Sequence, residues 1–162
     1  MITMEFTRII KASLGSLLGG FIFFIALPYL FIELGNYFGL QTNPTTEGSI
    51  FGMVFIVAGI GVYFYSFHLF VKEGKGTPVP FEPTQYIVTS GIYKYTRNPV
   101  YLGYVLVVFG IALLTGALMI LLYTAIAGLF IYFYVVYYEE PCLEEKFDEA
   151  YMDYKKRVRR WI

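Results

Sequence analysis

The chain has little of the side chains from which disulfides and metal sites are built. It contains one cysteine, Cys142, and one histidine, His68, among 162 residues. A lone cysteine cannot form an intrachain disulfide, and protein zinc sites draw most of their ligands from several cysteines and histidines. The sequence therefore predicts that the protein holds no metal.

Charge is also scarce. Only 15% of the residues are charged, whereas 57% are hydrophobic and 20% aromatic, and the mean hydropathy is +0.61. Twelve basic and twelve acidic residues balance, so the net charge does not suggest a nucleic-acid partner. Glycine patterns that bind nucleotides, G-x-G-x-x-G and the P-loop, are missing. The composition indicates an integral membrane protein.

Three long uncharged stretches carry the hydrophobicity, at residues 12–32, 49–71 and 98–138. A membrane crossing takes about 20 residues, so the third stretch can cross twice, with Thr115 and Gly116 at the turn of a tight helical hairpin. The predicted fold is an all-α integral membrane protein with about four transmembrane helices. Residues 1–71 form an N-terminal two-helix segment, and residues 72–162 carry the functional site within the same membrane domain.

The positions of the basic residues predict the orientation of these spans. They occur only before the first span, between the second and third, and after the fourth: Arg8, Lys11, Lys72, Lys75, Lys94, Arg97, Lys146, Lys155, Lys156, Arg157, Arg159 and Arg160. Because basic residues near membrane helices favour the cytoplasmic side, we expect a multi-pass protein with both termini in the cytoplasm.

A periodic aromatic pattern follows the fourth span. Its members recur at helical spacing: Leu143, Phe147, Tyr151, Tyr154 and Val158. Such spacing predicts one face of an amphipathic helix, which we expect to lie along the cytoplasmic interface and to close over the site. The alternative is a solvated helix at the end of the chain.

Arg97 is the first candidate for a functional residue. Asn98 and Pro99 follow it and suit the N-cap and first position of the third span. A guanidinium at a helix N-terminus predicts a binding site for a carboxylate or a phosphate. The alternative is that Arg97 only reaches up to the lipid headgroups.

Glu139 and Glu140 end the uncharged stretch that begins after Arg97, so the hairpin would bring all three together. Such a position is also where a helix commonly meets water. Neighbouring side chains on a helix point about 100° apart, so we expect one carboxylate, preferably Glu140, to face the site and the other to face solvent. Glu140 could bind an amino group or ribose hydroxyls.

The remaining candidates have structural alternatives. Several tyrosines surround the expected site and could form an interfacial belt or hold a cation over a ring: Tyr93, Tyr95, Tyr101, Tyr132, Tyr134, Tyr137 and Tyr138. His68 lies in the second span, as an interhelical hydrogen-bonding residue or as a catalytic base. Gly15 and Gly19 form a G-x-x-x-G pattern that predicts close helix packing.

The order of these motifs resembles a known family. The shared elements are Gly91-Ile92-Tyr93, the run from Arg97 to Gly103, a helical hairpin, Glu139-Glu140-Pro141, the aromatic pattern above and a final Val-Arg-Arg-Trp. This arrangement, over about residues 72–162, is similar to that of isoprenylcysteine carboxyl methyltransferases and phospholipid methyltransferase-like membrane proteins. The loop from Gly74 to Pro80 also resembles the entry segment of this family.

The resemblance implies a methyltransferase that uses S-adenosylmethionine on the cytoplasmic side. It implies Arg97 and Glu140 as catalytic residues, with a cofactor site made of Tyr93, Arg97, Asn98, Pro99, Tyr101, Glu139, Glu140, Tyr151 and Tyr154. The acceptor would be lipophilic: a prenylated cysteine carboxylate, a phospholipid amine or another small lipid that enters from the membrane.

Five positions differ from those expected of the isoprenylcysteine enzymes. Asn98 replaces a histidine, Tyr137 and Tyr138 stand where a basic residue tends to occur, Asp148 replaces a glycine and Arg159 replaces a proline. These differences weaken the substrate assignment more than the type of pocket. Two rival interpretations remain: a sterol-reductase-like enzyme that uses NADPH, and a noncatalytic membrane scaffold, in which Arg97 and Glu140 would tolerate substitution.

Overall fold

The structure is a computed structural model that describes residue 18 and residues 21–40, 42–75 and 85–162. Within these ranges the protein is all-helical and contains no strand. Only part of the first predicted span is described. Gly15 and Gly19, the basic residues Arg8 and Lys11, and most of the loop from Gly74 to Pro80 lie outside the described residues.

Five α-helices follow one another along the described chain. They are α1 (Leu27–Tyr37), α2 (Thr46–Leu69), α3 (Pro99–Thr115), α4 (Leu118–Tyr134) and α5 (Glu140–Arg157). Short π-helical segments precede α1 (Ile22–Ala26), follow α2 (Phe70–Gly74) and join α4 to α5 (Val135–Glu139), and a 3-10 turn (Gly91–Lys94) precedes α3.

Two continuous helical runs are long and apolar enough to cross a membrane, Thr46–Gly74 and Leu118–Arg157. Two shorter apolar helices, Ile22–Tyr37 and Pro99–Thr115, accompany them. The finding supports membrane association. The count of four spans stays a prediction, because the two shorter helices do not reach the same length.

Four glycines bring α2 and α3 into close contact. Gly52 and Gly59 of α2 face Gly110 and Gly103 of α3, and a Cβ atom on any of them would come within 2.6–2.8 Å of the backbone carbonyl oxygen of its partner. Real Cβ atoms do not approach that closely, so only glycine permits this backbone separation. Membrane helices pack through small residues for the same reason.

The hairpin between α3 and α4 turns at the predicted position. α3 ends at Thr115, and Gly116 adopts a left-handed conformation with φ of 65°, which glycine accommodates without strain. The carbonyl oxygen of Gly116 accepts hydrogen bonds from the backbone N–H and the hydroxyl of Thr42, at 3.1 and 2.7 Å. The turn is therefore tied to the segment that follows α1.

The core lies between α3 and α4, with α1 packed against it. Val108 and Ile120 are almost fully buried there. The hydroxyls of Tyr104 and Tyr123 lie 2.5 Å apart, and each is within hydrogen-bonding distance of the carbonyl oxygen of Phe23, at 3.1 and 3.0 Å. This polar contact ties the π-helical segment before α1 to the hairpin.

The helical backbone continues through Glu139, Glu140 and Pro141 into α5. Proline has no N–H, so a continuous helix must rearrange its hydrogen bonds around Pro141. A π-helical turn precedes it, in which the N–H of Glu140 donates to the carbonyl oxygen of Val135. Such turns occur often at functional sites, and this one carries both glutamates.

α5 is kinked at Asp148, whose φ of 45° and ψ of −125° are not helical. This conformation is nearly restricted to glycine. Tyr151 and Tyr154, which lie beyond the kink, are each 3% exposed. Leu143 and Phe147, which precede the kink, and Val158, which follows the helix, are half-buried. The kink thus directs the second half of α5, with its two buried tyrosines, into the protein.

Candidate functional site

The hairpin brings Arg97 and Glu140 together at one end of α3. The Nη2 atom of Arg97 lies 2.9 Å from Oε1 of Glu140, and the two side chains are 6% and 3% exposed. Arg97 is positioned by its own backbone, because its N–H donates to the carbonyl oxygen of Arg159 at 3.0 Å. The two polar ends of the uncharged stretch therefore meet, as the sequence predicts.

Glu140 is surrounded by three cations. The guanidinium of Arg160 donates to both of its oxygens, from Nε at 2.8 Å and from Nη2 at 2.9 Å. Arg97 and Lys155 complete the set, with Lys155 Nζ at 3.5 Å. The hydrogen bonds to Glu140 raise the pKa of Arg160. Both carboxylate oxygens are thus already engaged, which limits what else Glu140 can bind.

Arg97 keeps unused hydrogen-bonding capacity. Its Nε and Nη1 atoms are buried and have no partner among the described residues. A buried donor without an acceptor costs free energy, and for a charged group the cost is higher. Such an arrangement is expected where a ligand supplies the missing acceptor, and a carboxylate or a phosphate matches a guanidinium best.

The last residues of the chain form one wall of the site. The carbonyl oxygen of Arg160 accepts hydrogen bonds from Thr96 Oγ1 at 3.1 Å and from Asn98 Nδ2 at 3.0 Å. Asn98 occupies the N-cap position of α3, but its side chain makes no capping hydrogen bond. The expected side-chain cap is absent because the amide turns to the end of the chain instead.

Glu139 is half-buried rather than turned fully to solvent, which differs from the expectation. Tyr101, in the first turn of α3, donates a hydrogen bond to Glu139 Oε2 at 2.7 Å, and both residues are half-buried. The sequence argument treated α4 as an isolated helix, in which the face opposite the site would meet water. In the folded chain α3 stands beside the π-helical turn, so both carboxylates find partners inside the protein.

The predicted tyrosines form the floor of the site. Tyr154 donates a hydrogen bond to the carbonyl oxygen of Tyr93 at 2.7 Å, and Tyr93, Tyr151 and Tyr154 are each 3% exposed. Burial raises the pKa of Tyr93, so its hydroxyl stays protonated. Pro99 is almost fully buried at the start of α3.

The remaining candidates are more exposed than the residues of this cluster. The side chain of His68 is exposed, and its expected interhelical hydrogen bond is not found among the described residues. Tyr95, Tyr137 and Tyr138 are exposed. Tyr132 does hold a cation, since the guanidinium of Arg160 lies 5.9 Å from its ring centroid. The part of the chain that the structure describes contains no cluster suited to a metal ion.

Arg160 and Lys155 are the site residues that sequence reasoning missed. Both were counted only as basic residues for orientation, and Arg160 also as part of the Val-Arg-Arg-Trp resemblance. Arg160 lies 20 residues after Glu140, a separation that no helical periodicity connects. The one usable signal was the pair of adjacent carboxylates, which need neutralising cations when they are buried.

Comparison with known families places this site in context. The family model described as phospholipid methyltransferase (PEMT) matches residues 48–150, a range that contains Arg97, Tyr101, Glu139 and Glu140. No curated protein and no solved structure matches the chain.

Proposed function

Because the chain belongs to the phospholipid methyltransferase family, a family of membrane methyltransferases with lipid-like substrates, we propose that it transfers a methyl group from S-adenosylmethionine to a lipid. The observation that carries the cofactor assignment is the buried guanidinium of Arg97, whose Nε and Nη1 donors have no partner among the described residues. The donor supplies an activated methyl group on a sulfonium, and its amino-acid end carries the carboxylate that these donors suit.

In this proposal Arg97 binds the carboxylate of the donor, and Glu140 acts through Arg97. Glu140 already gives both oxygens to cations, so its role is to fix the two guanidinium groups rather than to bind the donor's amino group or ribose. Asn98, Pro99, Tyr93, Tyr151 and Tyr154 form the wall of this pocket. Methyl transfer of this kind depends mainly on alignment and on the exclusion of water.

The charge at Glu139 favours an amine acceptor over a carboxylate acceptor. Among the described residues no cation pairs with Glu139; its hydrogen-bond partner is the neutral hydroxyl of Tyr101. A prenylcysteine carboxylate brought beside it would be repelled, whereas an ammonium headgroup would be attracted. Rings of Tyr134 and Tyr138, 5.3 Å apart, add faces to which a cation is also attracted.

For the membrane arrangement we propose four spans with both termini and the site in the cytoplasm. Helices α1 and α3 would form two further spans beside the two longer helical runs. The basic residues of the described loops and of the C-terminal segment lie at the Arg97 end of the helices, which supports this orientation. The kinked α5 would then lie at the interface.

The test is calorimetric binding of S-adenosylmethionine and S-adenosylhomocysteine to the protein in detergent. Wild type should bind both saturably, and Arg97→Ala should weaken binding at least about tenfold, the effect of one charged hydrogen bond. Arg159→Ala is the matched control, because its side chain is exposed. NADPH is the control for a reductase.

Each outcome separates the candidate functions. Binding of NADPH without binding of the methyl donor would replace the proposal by the reductase interpretation. Binding of neither cofactor by a folded sample, with Arg97→Ala equally folded, would favour a scaffold.

A further inference from the structure

We propose that residues 158–162 form a strap that gates the donor site, and that the hydroxyl of Thr96 is the latch that keeps this strap closed against Arg97. The inference rests on the proposed methyltransferase function and adds to it a control over how fast the donor enters and leaves. It begins with how the last described residues are held.

The strap begins where α5 ends. Arg157 is the last residue of the helix, and Val158 follows it with an extended backbone, at φ of −120° and ψ of 132°. Residues 158–162 belong to no helix or strand. The strap can therefore move without breaking the hydrogen bonds of a helix or a sheet, and its position depends on its contacts with other parts of the chain.

Backbone carbonyl groups join the strap to the start of α3. The carbonyl oxygen of Arg159 accepts the N–H of Arg97 at 3.0 Å. The carbonyl oxygen of Arg160 accepts hydrogen bonds from Thr96 Oγ1 at 3.1 Å and from Asn98 Nδ2 at 3.0 Å. Three consecutive residues at the N-terminus of α3 thus bind two neighbouring carbonyl groups of the strap.

The side chains of the strap contact the rest of the site. Arg160 donates to both carboxylate oxygens of Glu140 and lies over the ring of Tyr132. Trp161 packs against the core between α3 and α4, whereas Ile162 is 81% exposed. The strap therefore contacts the start of α3, Glu140 and the hairpin core at once.

Thr96 links the turn before α3 to this strap. It is 2% exposed, and its Oγ1 accepts the N–H of Asn98 at 3.2 Å while donating its own proton to the carbonyl oxygen of Arg160. Loss of a hydrogen bond at a buried group costs free energy, so removal of this hydroxyl weakens the closed position of the strap. Thr96 is not among the residues proposed to contact the donor, so its effect is exerted through the strap.

The strap controls donor exchange because the proposed donor site is nearly inaccessible to water. The side chain of Arg97 is 6% exposed, and Tyr151 and Tyr154 are each 3% exposed. A polar donor from the cytoplasm reaches Arg97 only after part of this wall moves. Tyr151 and Tyr154 belong to α5, whereas the strap has no helical backbone to disrupt. Short segments of this kind commonly open and close enzyme sites.

The experiment uses Trp161, which is the single tryptophan of the sequence and lies in the strap. Its fluorescence in detergent, excited selectively over tyrosine, reports the position of the strap, because acrylamide in the water quenches it more when the strap is released. Thr96→Val replaces the hydroxyl by a methyl group, and Thr96→Ser keeps the hydroxyl. Thr124→Val is the matched control, because the hydroxyl of Thr124 donates within α4, to the carbonyl oxygen of Ile120.

Without donor, Thr96→Val should increase the quenching of Trp161, whereas Thr96→Ser and Thr124→Val should match wild type. In stopped-flow mixing, S-adenosylhomocysteine should enter and leave Thr96→Val about fivefold faster than wild type, the effect of one hydrogen bond of about 1 kcal/mol. The equilibrium affinity should change little, because the latch favours the closed strap equally with and without the ligand.

The two rates separate a gate from general damage to the fold. They are measured on the molecules that bind, so a partly unfolded sample lowers the amplitude of the signal without accelerating exchange. Thr96→Ser should restore the wild-type rates.

Wild-type exchange rates in Thr96→Val would overturn the inference. A loss of affinity with unchanged association would also overturn it, because Thr96 would then belong to the donor site itself. Equal quenching in Thr96→Val and wild type would show that the hydroxyl does not hold the strap. Failure of wild type to bind S-adenosylhomocysteine would overturn the proposed function instead, and the quenching would still test the latch.

Discussion

Arg97 and Glu140 form a buried ion pair, with Nη2 of Arg97 2.9 Å from Oε1 of Glu140. Glu140 is also held by Arg160 and Lys155, so the carboxylate is the centre of the cluster and Arg97 is one of several cations around it. Removing Arg97 leaves Glu140 compensated, whereas removing the charge of Glu140 leaves three cations without their shared partner.

Glu140→Gln should therefore destabilise the fold by about 3 kcal/mol or more, the typical cost of breaking a buried ion pair from one side. Thermal unfolding in detergent is the measurement. Glu144→Gln is the control, because Glu144 pairs with Lys155 at the edge of the cluster and a third of its side chain is exposed. Equal unfolding temperatures for Glu140→Gln and wild type would contradict the central role of Glu140.

Arg160→Ala should lower stability by about 1–2 kcal/mol, because it removes two charged hydrogen bonds that are partly exposed to solvent. It should also weaken donor binding, since Glu140 then holds Arg97 less firmly. Arg159→Ala should change both quantities little. Wild-type donor affinity in Arg160→Ala would show that the C-terminal segment does not shape the pocket.

Gly59→Ala should destabilise the protein by about 1–3 kcal/mol, the usual cost of overpacking. The added Cβ would lie 2.7 Å from the carbonyl oxygen of Gly103 and force α2 and α3 apart. Gly61→Ala, on the same helix, meets nothing within 4 Å and should not destabilise. Comparison of the two unfolding temperatures is the test, and equal losses would mean that helix separation is not the cause.

Asp148→Gly should stabilise the protein by about 1 kcal/mol, because glycine adopts the φ of 45° without strain. The same change at Glu149, in regular helix, should destabilise by about 1 kcal/mol. The pair is compared by thermal unfolding. A loss of stability in Asp148→Gly would show that the aspartate side chain, rather than the kinked backbone, is favoured there.

Cys142 offers a direct test of orientation, since it is the single cysteine of the sequence and is exposed. In sealed vesicles with the cytoplasmic face outward, a membrane-impermeant maleimide should label it. In vesicles of the opposite orientation, labelling should require detergent. Labelling of the second preparation alone would reverse the proposed topology.

The sequence was sufficient for the features that depend on local pattern. A hydrophobic composition, helical periodicity and the Thr115-Gly116 turn predicted an all-helical protein with a hairpin, because these signals arise within a few residues of one another. The resemblance carried by Arg97, Glu139 and Glu140 identified the family that the later comparison shows. The meeting of Arg97 with Glu140 also followed, since a hairpin of known length fixes which ends are adjacent.

Only the tertiary structure decided that the two adjacent glutamates have different surroundings. Their sequence positions are equivalent, yet Glu140 is held by three cations and Glu139 by a tyrosine hydroxyl, because the π-helical turn before Pro141 and the returning C-terminal segment surround them differently. The tertiary structure also decided the positions of Arg160 and of the glycine pairs of α2 and α3. Their roles arise from contacts between residues far apart in the chain, and such contacts leave no periodic signal in the sequence.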